Sequence, residues 1–192
     1  MTQITFEAIA RRLAQRTPAR ISETGTKEAA VSLVLVPGES TGAEILFIKR
    51  AEVPGDPWSG QMALPGGRRQ SEDPDLLATA AREAREEIGV DLSRKMLLGE
   101  LDDFAPRSPL LPRIVVRPYV FALNTRPRVT LSPEATLHLW VSLEQLRRAA
   151  GEAEVIVRSE RRVVPSFRLG PHIVWGLTER IISPFLELAL RP

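Results

Sequence analysis

Cysteine is absent from the 192-residue chain, which excludes disulfides and thiolate metal sites and is neutral about compartment. Histidine is nearly absent: His138 and His172 are the only two. Neither has a cysteine or second histidine at ligand spacing, so both read as half-buried packing residues. Aromatic residues make up 5% of the chain, and no basic stripe is interleaved with them, which argues against nucleic-acid binding. No apolar run reaches membrane length, and the N-terminal MTQITFEAIARRLAQR has no apolar leader core. A soluble, cytoplasmic protein with no membrane partner is therefore expected. Ser59 has no Gly-x-Ser-x-Gly frame, so serine nucleophile chemistry is not expected.

What is present suits one compact α/β unit. The hydrophobic content of 43% is enough for one sizeable core, and residues 1–192 read as a single domain without repeats or low-complexity tracts. The formal charge is only +2, although arginine heavily outnumbers lysine. Residues 5–16 form an amphipathic helix with Phe6, Ile9, Ala10 and Leu13 on one side. Ala29 to Val36 and Ile45 to Arg50 read as strands joined by the turn Pro37 to Gly42, followed by the loop Val53 to Ser59. Further strands are expected over Lys95 to Asp103, Ile114 to Leu123 and Leu137 to Val141, with Pro106, Pro109 and Pro112 punctuating the connection between the first two. A helix over Leu143 to Ala150, a hairpin over Val155 to Val164 and a C-terminal helix over 173–190, interrupted near Pro184, complete the pattern. Arg158, Arg161 and Arg162 read as a solvated turn of that hairpin, with contact to an anionic substrate as the alternative. Asp102 and Asp103 either border a site or end a strand. This order fits a mixed sheet sandwiched by helices.

The most informative stretch runs from Leu64 to Val90, LPGGRRQSEDPDLLATAAREAREEIGV. At about 100° per residue, Glu86 lies roughly 60° to one side of Glu83 and Glu87 roughly 40° to the other. The three carboxylates share one narrow face, while Leu77, Ala81, Ala84 and Ile88 fall on another arc. Asp73 is the expected N-cap, Pro74 the first helical residue and Gly89 the left-handed C-cap. Upstream, the strand Gln61 to Leu64 ends in the loop Pro65-Gly66-Gly67, whose glycines let backbone approach a metal or phosphate. Taken alone, three glutamates near Arg82 describe an ordinary solvated face with Arg82 paired to Glu86. Taken with the glycine loop, the carboxylates can hold a divalent cation, and hard oxygen ligands suit Mg²⁺ or Mn²⁺. Such a centre neutralises a diphosphate and lowers the pKa of a bound water.

The ordered conjunction of Pro-Gly-Gly, the capped helix and Arg82-Glu83-Ala84-Arg85-Glu86-Glu87-Ile88-Gly89-Val90 closely resembles the Nudix hydrolase signature, here spanning 67–90. Residues 68–81 separate Gly67 from Arg82 by one residue more than the general pattern. The family's first glutamate therefore falls on Pro74, with Asp73 the nearest carboxylate. The coenzyme A pyrophosphatase subset has this longer spacing. Leu64-Pro65-Gly66-Gly67, Asp73, Ala80, Arg82, Glu83 and Ala84 resemble its pattern, whereas Gln70 stands where it has its first aspartate. Gly60-Gln61-Met62 resembles its Gly-Glu-Val, and Arg50, followed by Ala51, represents its Arg-Ser motif. The Trp175-Gly176-Leu177-Thr178 segment is also similar to one near the end of these members.

The resemblance implies an α/β/α sandwich and hydrolysis of a diphosphate in a nucleoside diphosphate derivative. It favours coenzyme A, cleaved to 3′,5′-ADP and 4′-phosphopantetheine, over nucleoside triphosphates or ADP-ribose, with a non-catalytic nucleotide-sensing module as the other class. It implies Glu83, Glu86 and Glu87 as metal ligands and catalytic groups, a carbonyl of Gly66 or Gly67 as a further ligand, and Arg82 as the group orienting the glutamates. Glu134, after Pro133, is the candidate general base, its ordinary alternative being an exposed helix-initiating acid. Arg50 and Trp58 are candidate substrate contacts, with Trp58 stacking on a base or anchoring its own loop. The expected partner is a small-molecule nucleotide, and a homodimer is compatible with the sequence.

Overall fold

The computed structural model describes residues 5–38, 42–56, 58–106, 113–157 and 160–191. In chain order, α1 (Phe6–Ala14) is followed by β1 (Lys27–Pro37), β2 (Ala43–Arg50), β3 (Met62–Ala63), β4 (Gly66–Arg68) and α2 (Leu76–Ile88). A single 3-10 turn (Arg94–Met96) leads into β5 (Leu97–Glu100), then β6 (Ile114–Ala122), β7 (Ala135–Ser142) and α3 (Leu143–Ala149). The chain ends with β8 (Ala150–Val157), β9 (Glu160–Leu169), β10 (His172–Trp175) and α4 (Gly176–Ala189).

The main sheet has the order β3-β2-β1-β6-β5, with β7 added on β2 and β4 on β1. β1 and β6 run parallel while the other pairs are antiparallel, so the sheet is mixed, as expected. Alternation along β1 divides the core between its two faces. Ala30 and Val34 pack with Leu76, Ala80, Ala84 and Ile88 of α2. Leu33 and Leu35 face the opposite way, toward Ile9 and Leu13 of α1 and Ile181, Ile182 and Phe185 of α4. Helices therefore cover both faces of the sheet.

β1 changes partner along its length, and the functional cleft follows from that change. Leu35, Val36 and Pro37 pair with β2, whereas Ala29, Ala30 and Val31 pair with Arg68, Gly67 and Gly66 of β4. β2 thus leaves β1 and carries β3 and β7 away with it. The sheet splits between β4 and β3.

Several expectations are corrected. The Pro65-Gly66-Gly67 segment is not wholly a loop, because both glycines belong to β4. The C-terminal helix begins at Gly176, and residues 172–175 form β10, an unexpected third strand that joins the β8–β9 hairpin in a three-stranded sheet. Pro184 lies inside α4 without ending it. An interior proline costs about 3 kcal/mol, and burial of Ile181, Ile182, Phe185, Leu186 and Leu188 outweighs it at roughly 1.5–3 kcal/mol per large side chain. The hairpin around 160 is longer than expected. Its Arg161 and Arg162 pair with Glu154 at 3.1 Å and Glu160 at 2.7 Å, while Arg158, like Pro109 and Pro112, lies outside the described residues.

Asp102 and Asp103 tie the segment after α1 to the sheet and do not border the cleft. Asp102 accepts from Arg16 at 2.8 Å and from the Ala19 amide at 2.9 Å. The buried Asp103 accepts from Arg117 Nε at 2.8 Å and Nη2 at 3.0 Å, and from the Ile21 amide at 3.1 Å.

Candidate active site

Helix α2 supplies three acids because both its ends are fixed. Gly89 closes it at φ 69°, the left-handed conformation in which glycine carries no Cβ penalty. The N-cap is Asp75, which accepts from the Ala78 amide at 2.7 Å, and not Asp73, so Pro74 is not the first helical residue. Asp73 is instead buried, where it accepts from Arg82 Nε and Nη2 at 3.0 Å, Thr79 Oγ1 at 3.0 Å and the Gln70 amide at 3.0 Å. The charge-assisted bonds from Arg82 lead these effects and hold its carboxyl at about 2.

The buried side of α2 is Leu76, Thr79, Ala80, Ala84, Glu87 and Ile88. Leu77 and Ala81, expected there, are only half-buried. The apolar arc is rotated by one residue, and this rotation carries Glu87 inward until it is 3% exposed. Its Oε2 accepts from the Gly66 amide at 2.8 Å. Burial pushes the Glu87 carboxyl up to about 7, with Glu83 and Glu134 adding repulsion against the opposing Gly66 amide and Arg50. Burial likewise raises Glu83, against the pull of Arg82. A Cβ on Gly67 would lie 2.5 Å from the Glu83 carboxyl carbon, so only glycine lets the backbone come this near the acid. Glu86 is the exposed member and accepts from Arg82 at 2.8 Å.

Arg82 binds Asp73, Glu83 at 2.8 Å, Glu86 and the Arg68 carbonyl at 3.0 Å. The ordinary expectation of an Arg82–Glu86 pair is therefore correct, but it is one spoke of a larger hub. Among the described residues, no group of three His, Cys, Asp or Glu side chains already surrounds a common point as a metal cage would. The donor set nevertheless fits a hard divalent cation: clustered carboxylates, one buried and reluctant to ionise, lie beside a backbone that no Cβ obstructs.

A cleft of about 550 Å³ opens where the sheet splits, and it brings Glu83, Glu86, Glu87, Gly66, Gly67 and Glu134 together with Arg50 and Trp58. Arg82 stands behind the acids and does not line it. Sequence reasoning missed Asp56, which accepts from Arg50 Nη2 at 2.9 Å and from the Trp58 amide at 3.0 Å. Burial opposes ionisation of Asp56, but the Trp58 amide and Arg50 outweigh it and lower its pKa. Arg50 Nε is buried without a hydrogen-bond partner among the described residues. The only available signal for Asp56 was its place in the Gly55-Asp56-Pro57-Trp58 turn. Leu177, Thr178 and Ile181 of α4 also line the cleft, and their signal was the Trp175-Gly176-Leu177-Thr178 segment. His138 and His172 lie half-buried on β7 and β10, away from the acids.

The family model described as "NUDIX domain" matches residues 26–162. Nudix hydrolase 22, chloroplastic, of Arabidopsis thaliana is 29% identical over 165 residues, covering 81% of this chain and 53% of its own length. The mitochondrial coenzyme A diphosphatase NUDT8 of Mus musculus is 27% identical over 184 residues, covering 93% of this chain and 85% of its own length. This chain spans about half the length of some of the curated relatives it matches, among them an uncharacterized Schizosaccharomyces pombe protein at 45% and the Arabidopsis protein. In structure, a MutT/nudix family protein from Enterococcus faecalis has the same fold, with TM-score 0.59 and 18% identity over 92% of this chain and 65% of that one. No described helix is long and apolar enough to cross a membrane.

Proposed function

Because the chain belongs to the Nudix hydrolase family, we propose that it hydrolyses the diphosphate linkage of a nucleoside diphosphate derivative, with coenzyme A as the favoured substrate. The observation that carries this reading is the convergence of Glu83, Glu86 and Glu87 with the Gly66-Gly67 backbone in one cleft. The name of the mouse relative and the Leu-Pro-Gly-Gly to Asp73 spacing support coenzyme A within that class.

Glu83, Glu86 and Glu87, with a carbonyl of Gly66 or Gly67, would hold Mg²⁺ or Mn²⁺. When bound, such an ion neutralises diphosphate charge and acidifies water. The chain's own residues then have separable tasks. The Gly66 amide fixes the orientation of Glu87. Arg82, itself locked by Asp73, limits the positions open to Glu83 and Glu86. Glu134 lines the cleft close enough to raise the pKa values of Glu83 and Glu87, and is our candidate to take a proton from the attacking water. Arg50, with one buried N–H to spare, is the candidate partner of a substrate phosphate, and Trp58 a flat surface for a base.

Asp73→Asn separates positioning from ligation. It removes the charge that holds Arg82, so steady-state turnover should fall about 10- to 100-fold with KM little changed. The carboxyl pKa is depressed on folding from 3.8 to about 2. Its stabilisation is therefore full above pH 3.8 and disappears as pH falls through 2. Thermal melts of wild type and Asp73→Asn should differ at pH 6 and converge near pH 2. Equal melts at both pH values would remove the Asp73–Arg82 lock.

The proposal is tested by identifying products from purified protein given coenzyme A, ADP-ribose or nucleoside triphosphates, with Mg²⁺ or Mn²⁺ and with chelator. Metal-dependent 3′,5′-ADP and 4′-phosphopantetheine at the highest rate is the expected result. Preference for another diphosphate would overturn the coenzyme A assignment alone, and no turnover of any would favour a sensing module.

A further inference from the structure

Among the described residues that line the cleft, only Arg50 and Arg68 are cationic, and they stand on opposite lips. Arg50 ends β2 and is committed to Asp56 at 2.9 Å. The segment carrying Glu134 lies beside it, since the Ala51 amide donates to the Glu134 carbonyl at 2.8 Å and Arg50 is in register with Ala135. Arg68 ends β4 on the other lip, opposite Ala29 of β1. Its backbone is held, because its carbonyl accepts from Arg82 at 3.0 Å, but its guanidinium makes no hydrogen bond or ion pair among the described residues. The neighbouring Arg69 is instead engaged with Glu28 at 2.8 Å and the Pro74 carbonyl at 3.0 Å. A planar fork of N–H donors thus enters the cleft uncommitted, near enough to Asp56 to help lower its pKa.

The strand sets the direction from which Arg68 enters. A Cβ on Gly67 would point at Glu83, and alternation turns the next side chain, Arg68, to the opposite face. Glu134 belongs to the side of the acids, because its segment runs along the end of α2, with the Ser132 amide donating to the Glu87 carbonyl at 2.9 Å. A diphosphate held at Gly66 therefore has Glu134 on one side and Arg68 on the other. Phosphoryl transfer places the attacking and leaving oxygens on opposite sides of phosphorus. We propose that Arg68 is a catalytic residue that receives the departing phosphate. The oxygen of a water bonds to one phosphorus while its proton passes to Glu134. The bond from that phosphorus to the bridging oxygen breaks, and its electron pair stays on the leaving phosphate, where the guanidinium meets the new charge. This role rests on the hydrolysis reading with Glu134 as base, and is independent of what either phosphate carries.

Hydrolysis of coenzyme A and of ADP-ribose in water enriched in heavy oxygen marks the attacked phosphate, so the unlabelled product is the one that departed. Affinities of both products are then measured by calorimetry on wild type, Arg68→Ala and Arg68→Lys, beside single-turnover rates. The Arg68 side chain is exposed, and thermal melts report whether each variant folds. Arg68→Ala should bind the unlabelled product about 10-fold or more weakly, keep its affinity for the labelled one, and hydrolyse substrate about 100-fold more slowly. Arg68→Lys, which keeps the charge and loses the fork, should fall between. An unchanged affinity of Arg68→Ala for the unlabelled product, a loss shared equally by both products, or an unchanged single-turnover rate would overturn the role and leave the hydrolysis reading standing. Turnover of neither compound by the wild type would overturn both.

Discussion

Glu87→Gln is expected to abolish most turnover and, in the same protein, to raise the stability of the metal-free state at pH 8. A bound cation contributes several kcal/mol at the transition state, and each 1.4 kcal/mol is about tenfold in rate. Weakening that centre by one buried ligand should reduce kcat on the order of 10³-fold. The stability effect has the opposite sign. Glu87 is 3% exposed, and its pKa rises on folding from 4.5 to about 7. The folded state therefore favours the protonated acid, and stability is lost as pH climbs through this range, by about 3 kcal/mol once pH exceeds the folded value. Glutamine keeps an oxygen for the Gly66 amide and carries no charge. Metal-free melts of the two proteins should coincide near pH 4.5 and diverge by pH 8, with the variant higher. A variant that melts lower at pH 8 would contradict the burial assigned to this carboxylate.

Gly66→Ala and Gly67→Ala should fail in different ways although they are neighbours. A Cβ on Gly66 would meet the Ala30 carbonyl oxygen at 2.3 Å and the Val31 Cα at 2.6 Å. These are backbone atoms of β1, and they cannot retreat without opening the β1–β4 pairing. Gly66→Ala should destabilise the fold by at least about 3 kcal/mol, in the range of the severe single substitutions. The nearest atoms to a Cβ on Gly67 are instead those at the end of the Glu83 side chain, at 2.5 Å. That side chain can rotate away, so Gly67→Ala should fold with a small change in Tm and lose about 100-fold or more in turnover. Urea unfolding and steady-state kinetics distinguish the two. A stable, active Gly67→Ala would remove the contact between this backbone and Glu83 from the mechanism.

Local chemistry made much of this legible before the structure. The helical spacing of Glu83, Glu86 and Glu87 and the stop at Gly89 depend on residues close in sequence, and Glu134, Arg50 and Trp58 do line the same cleft. Choices settled by distant partners were not legible. Two aspartates flank Pro74, and either can cap a helix. Arg82 decides between them by drawing Asp73 inward, which leaves Asp75 at the cap. The buried arc of α2 is turned by about one residue from the apolar arc of Leu77, Ala81, Ala84 and Ile88, because helical spacing alone does not show that a glutamate is buried with it. Packing buries Leu76 and Ala80, and Glu87 follows them. β10 escaped notice because His172 to Trp175 runs directly into α4 at Gly176, and its pairing with β9 leaves no local mark. Arg50 and Asp56 meet across a turn whose proline and glycine suggested only a loop.

If Glu83, Glu86 and Glu87 together hold the divalent cation on which hydrolysis depends, a Mn²⁺ titration at pH 8, followed by the electron paramagnetic resonance signal of the free ion, reports it on wild type and on Glu83→Gln, Glu86→Gln and Glu87→Gln. Saturable binding by the wild type, weakened at least about 10-fold by each substitution, is the predicted result. Binding that is absent from the wild type, or that survives all three substitutions unchanged, would contradict the account.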